Sequence, residues 1–176
     1  MKYVIVDLEA TCEKIRNPEF ISEIIEIGAV KVTERKIENK FNCFVKPTIN
    51  PILSDFCKEL TTITQEEVNN GKNRKEALTE FMKFCEDAII LSWGNYDKNQ
   101  LYKECKKNDL PTRWLDKHIN LKEQFAILKK MPRQCGMEKA LRISHLDLDG
   151  THHRGIDDAT NITKIFLKHY NDWEFV

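Results

Sequence analysis

At 176 residues, with 41% hydrophobic and 32% charged residues, the chain can bury one real core, and neither a disordered nor a fibrous class fits it. Lys plus Arg equal Asp plus Glu at 28 each, so bulk charge marks no polyanion partner. No stretch of about 18 apolar residues is present to span a bilayer, and Asp7 and Glu9 break the N-terminal apolar run too early for a secretion signal.

The first element is a strand. In YVIVDLE, Tyr3, Ile5, Asp7 and Glu9 face one way and Val4, Val6 and Leu8 the other. IIEIGAVKVT and KIENKFNCFVKP follow with short connections and read as an antiparallel meander. Pro47 and Pro51 mark a loop, and Thr64 to Glu67 form a capping box opening a short helix that Gly71 closes. Over 75–87, Ala77, Leu78, Phe81, Phe84 and Cys85 fall on one helical face. AIILSW (88–93) is a buried strand, and helices follow over 96–107, 121–130, 136–143 and 157–170, with Gly155 turning the chain into the last. Strands first, then strands alternating with helices, indicate one α/β domain over 1–176 with a mixed sheet. The six cysteines form no C-x-x-C pair and read as reduced, mostly buried thiols of a cytoplasmic protein. From Lys98 to Arg142, 12 Lys and Arg stand against 5 Asp and Glu. By itself that is a solvated helical surface; it becomes a surface for phosphates only beside a site argued independently.

Four carboxylates stand where the pattern calls for apolar residues. Asp7 and Glu9 share one strand face, roughly 6.5–7 Å apart at the backbone, and without a cation two buried charges there would be costly. Asp97 shares the inward stripe of its helix with Leu101 and Cys105, although an acid there also suits a helix start. In THHRGIDDATNITKIF two His–Asp pairs have the same spacing, His152 with Asp157 and His153 with Asp158. Helical phase separates them. Asp158 shares its stripe with Ile162 and Ile165, whereas Asp157 lies with Asn161, Lys164 and Lys168 on an expected solvated face, as a cap.

DLEATC, EIIEIGAV, ELTTITQEEV, SWGNYDKNQL and THHRGIDDATN, in that order, resemble the DnaQ-like DEDDh 3′–5′ exonucleases, and within them the histone-mRNA 3′ exonuclease, enhancer-of-RNAi and KapD-like branch. The resemblance covers about residues 3–170 and departs at Thr62, where the branch often has glycine. It implies an RNase H-like fold and a phosphodiester hydrolase working from the 3′ ends of single-stranded RNA or DNA. It also implies two divalent cations, Mg²⁺ with Mn²⁺ as a substitute, held by Asp7, Glu9, Asp97 and Asp158, with His153 as general base. Ala10 and Thr11 would line the pocket for the terminal nucleoside. Phe20 and Trp93 are candidates to stack on the last base, and Arg154 and the helix from Lys98 are candidates to meet upstream phosphates. No appended nucleic-acid-binding domain is recognised, so targeting would fall to this domain or to a protein partner. Two rival readings stay open: a DNA-directed proofreading exonuclease and a catalytically inactive nucleic-acid-binding module.

Overall fold

The computed structural model describes residues 1–15 and 17–175. Five strands, β1 (Lys2–Ala10), β2 (Ile24–Thr33), β3 (Lys36–Phe44), β4 (Ile89–Ser92) and β5 (Ile119–Asn120), form one sheet in the order β3-β2-β1-β4-β5. β1, β2 and β3 pair antiparallel, while β4 lies parallel to both β1 and β5. The expected mixed sheet and meander are therefore present.

Pleat alternation divides the packing into two layers. Tyr3 and Ile5 of β1, with Val30 and Val32 of β2, pack under α5 (Leu121–Leu128), α6 (Met137–Ile143) and α7 (Gly155–Lys168) through Phe125, Leu141, Ile162 and Phe166. Val4, Val6 and Leu8 face the opposite way, onto α3 (Arg74–Phe84) and α4 (Tyr96–Lys107) through Leu78, Phe81, Leu101 and Cys105. Each such side chain, fully buried, contributes about 1.5–3 kcal/mol.

Differences from the sequence expectation fall where signals are local or short. An unforeseen helix, α1 (Asp55–Thr61), follows Pro51; Ser54 caps it by accepting from the Cys57 N–H. Thr62 ends it in the left-handed conformation, φ 59°, which is why glycine suits that place. α2 (Gln65–Asn69) carries the expected capping box. The helix expected over 75–87 runs Arg74–Phe84, the one expected over 121–130 stops at Leu128, and β5 is only two residues long. α7 begins at Gly155 rather than Asp157.

Candidate active site

β1 and β2 build the floor of the site through their register. Opposed residues of an antiparallel pair share a face, so Tyr3, Ile5, Asp7 and Glu9 lie beside Val32, Val30, Gly28 and Glu26. One end of this face is hydrophobic core; the other is three carboxylates and a glycine. α7 runs across both ends. Its later turns bury Ile162, Ile165 and Phe166, and its first turn delivers Asp158. Gly28 permits that approach, since a Cβ there would stand 2.0 Å from the Gly155 carbonyl carbon and 2.1 Å from the Ile156 nitrogen.

One oxygen each of Asp7, Glu9 and Asp158 lies within 4.8 Å of the others. Asp97 joins them from α4. β4 ends at Ser92 while β1 runs on, which leaves the Leu8 N–H facing the vacated side, and it donates to Asp97 Oδ1 at 3.1 Å. This is the crevice beyond the carboxyl ends of the parallel strands β1 and β4, where open α/β sheets bind ligands. Burial, then the charges of Asp97, Asp158, Glu9 and Glu26, push the Asp7 carboxyl well above its ordinary range. Burial, with Asp158 the strongest neighbouring charge, takes Glu9 to about 9. Burial raises Asp97 to about 6 despite the Leu8 N–H, and it raises Asp158 despite the His153 N–H and His152. Acids pressed together and buried in this way could serve as the donor set of a hard cation, for which all-oxygen ligation is the natural chemistry.

The sequence spacing paired His153 with Asp158 and His152 with Asp157. In the structure the His153 backbone N–H donates to Asp158 Oδ2 at 3.0 Å, while the ring that meets Asp158 is that of His152, its Nδ1 2.9 Å from Oδ2. The turn is made by His153 itself, at φ 65°, a conformation that costs a non-glycine residue about 1 kcal/mol or more. Gly155, expected to make that turn, is instead a contact residue; a Cβ there would come within 3.0 Å of the Asp7 carbonyl. Burial and the neighbouring His152 lower the His153 pKa against the pull of Asp158 and Glu138. Asp157 is not the cap of α7. It sits inside the first turn and accepts from the Thr151 N–H at 2.8 Å, holding the preceding loop. Its stripe is solvated only in part: Lys168 is exposed, but Asn161 is fully buried and clasps the backbone of Asp149. The first amide of α7 donates instead to Glu26, from Gly155 N to Oε2 at 3.0 Å.

The substrate-binding candidates divide. Ala10 and Thr11 are buried beside the acids, and Thr11 Oγ1 accepts from the Glu23 N–H at 2.9 Å. Phe20 is half-buried and shares a pocket with Thr11, Cys12 and Ser54. Trp93 packs against the α5–α7 core, its ring 5.6 Å from Phe125 and its Nε1–H donating to the Cys135 carbonyl. Arg154 is engaged by Glu26 and Glu67, each at 3.4 Å, and lies over the Phe44 ring. Sequence reasoning passed over Tyr96, which keeps 53% of its surface exposed immediately before Asp97 and has its hydroxyl at the Ser22 side chain. It also passed over Glu26, whose place depends on pairing with Glu9 and shows only through register.

A family model for exonucleases, RNase_T, matches residues 4–166. The 3'-5' exoribonuclease 1 of Homo sapiens is 34% identical over 96% of this chain and 52% of its own length. The probable 3'-5' exonuclease KapD of Bacillus subtilis (strain 168) is 28% identical over 93% of this chain and 82% of its own. The chain thus spans about half the length of the human relative. Among solved structures, the nuclease domain of 3'hExo, described as a DEDDh family member bound to rAMP, superposes with a TM-score of 0.91 at 32% identity, covering 97% of this chain and 92% of that one. The fold, the gathered acids and these likenesses agree: the chain belongs to the RNase_T exonuclease family.

Proposed function

We propose that this chain is a 3′→5′ exoribonuclease. It removes nucleotides one at a time from the 3′ end of single-stranded RNA as nucleoside 5′-monophosphates, within a single domain over 1–176. The observation that carries this reading is the convergence of Asp7, Glu9 and Asp158 within 4.8 Å, with Asp97 and His153 beside them. Asp7, Glu9, Asp97 and Asp158 would hold two divalent cations, Mg²⁺ or in its place Mn²⁺. When bound, these supply Lewis-acid stabilisation of charge at the attacking water and the leaving 3′-oxygen. His153, kept neutral by burial, accepts the proton of the attacking water. Tyr96, rather than the core residue Trp93, offers its exposed ring to the terminal base, and Phe20 and Thr11 line a pocket of their own beside the acids. Names given to relatives, such as exoribonuclease, favour RNA over DNA. The six free cysteines suit a reducing compartment, the cytoplasm.

RNA and DNA oligomers labelled at either end, incubated with Mg²⁺ or with chelator, test the proposal. A ladder from the 5′ label and mononucleotides from the 3′ label, on RNA and only with metal, are expected. Internal cuts, turnover in chelator, or a preference for DNA would each overturn the corresponding part.

A further inference from the structure

His152 lies beside the site without a part in the reaction just proposed. Its Nδ1 is 2.9 Å and 3.1 Å from the two oxygens of Asp158, and its ring lies against that of His153, with centroids 3.9 Å apart. Successive residues of an extended chain point to opposite sides. Here the left-handed backbone at His153 turns both imidazoles to the same side. One nitrogen from each ring and one Asp158 oxygen lie within 4.8 Å of one another.

We propose that His152, His153 and Asp158 form a site for Zn²⁺, and that zinc bound there stops the exonuclease by taking its base and one of its carboxylates together. This rests on the exonuclease reading only for its inhibitory consequence. The donor set separates the two metals. Two imidazoles and a carboxylate are typical zinc ligands, while Mg²⁺ takes oxygen and avoids imidazole. The side chain of His152 is 34% exposed, so an ion can enter from solvent. In the face-to-face arrangement the ring lone pairs run side by side. The imidazole torsion has a broad energy profile, so a turn of the His153 ring brings its nitrogen onto an ion held by His152 and Asp158.

The test is a calorimetric titration of Zn²⁺ into the full chain in excess Mg²⁺. A parallel titration with Co²⁺ reads the coordination number at the site from the intensity of its visible absorption. One ion is expected per chain. His152→Gln should weaken binding about tenfold or more, leave the Mg²⁺-supported rate on RNA unchanged, and move zinc inhibition to a correspondingly higher concentration. His152→Asp, which returns an anionic ligand, should recover part of the affinity, separating loss of a ligand from damage to the loop. Zinc affinity indifferent to His152, or zinc that supports turnover, would overturn the proposal. If the wild-type chain with Mg²⁺ alone releases no nucleotide, the exonuclease reading falls, and the titrations still decide the zinc site on their own.

Discussion

An imidazole that takes a proton from water at neutral pH must first be without one. Burial keeps His153 in that state although the Asp158 carboxylate stands against it. His153→Ala should therefore lower kcat by about 10²–10⁴-fold and leave Mg²⁺ binding, followed by titration calorimetry, nearly unchanged. His152→Ala should leave kcat close to wild type. An inverted result would reassign the base. Tyr96 makes a separate claim about recognition. Stacking on one base is worth roughly 1–3 kcal/mol, so Tyr96→Ala should raise KM by about 5- to 150-fold and Tyr96→Phe should restore it. Trp93→Ala should instead lower the melting temperature, as truncation of a core aromatic does. A KM effect from Trp93 and none from Tyr96 would exchange the two roles. The His152 ring on the Asp158 oxygens was not foreseen, but Asp158 itself was legible as the inward acid because helical phase separates it from Asp157. Tyr96 was not, because an aromatic in an amphipathic helix carries no mark of exposure until the helix is docked.

What α7 contributes is position. Its first turn sits on Gly28 with backbone against backbone, and Glu26, from the same strand, accepts the Gly155 amide hydrogen. A methyl at Gly28 would meet carbonyl carbon and amide nitrogen, neither of which can swing aside as a flexible side chain would. Gly28→Ala should therefore lift the start of the helix and carry Asp158 and His153 away from Asp7 and Glu9. Overpacking of this kind costs about 1–3 kcal/mol, a fall in melting temperature of roughly 2–12 °C at this chain length. A displacement of about 1 Å is enough for a hundredfold loss of rate. Differential scanning calorimetry and steady-state kinetics on one preparation check both. A variant that melts early and keeps kcat would show that this contact supports the fold without setting the site. The sequence marked α7 through its apolar stripe yet misplaced its start by two residues, because the capping group comes from β2 and lies 129 residues away in sequence.

Across the whole molecule the sheet was readable because alternation in β1 and β2 writes both cores into the sequence. Its far edge was not, because two residues of β5 carry no period. That edge is tied in by His118, which immediately precedes β5; its Nε2 lies 2.8 Å from Ser92 Oγ at the end of β4. Burial, with the charge of Lys98, lowers the His118 pKa to about 4, against about 6.5 in the unfolded chain. Between those values the unfolded chain binds a proton that the folded chain refuses, so this residue's contribution to stability is present above pH 6.5 and is lost as pH falls toward 4. After discounting for partial exposure, the loss is on the order of 2 kcal/mol. In the metal-free protein the buried acids act in the opposite sense. Their raised pKa values mean that the folded state holds protons the unfolded state has released, so stability from them grows as pH falls. Total stability against pH therefore mixes the two effects, and His118 is isolated by subtraction. Urea unfolding of wild type and of His118→Gln at pH 7, 6, 5 and 4 should give a difference that shifts by that amount in favour of the variant across the window. Parallel curves would mean that His118 is protonated in the fold as readily as in water, and that burial does not hold it neutral.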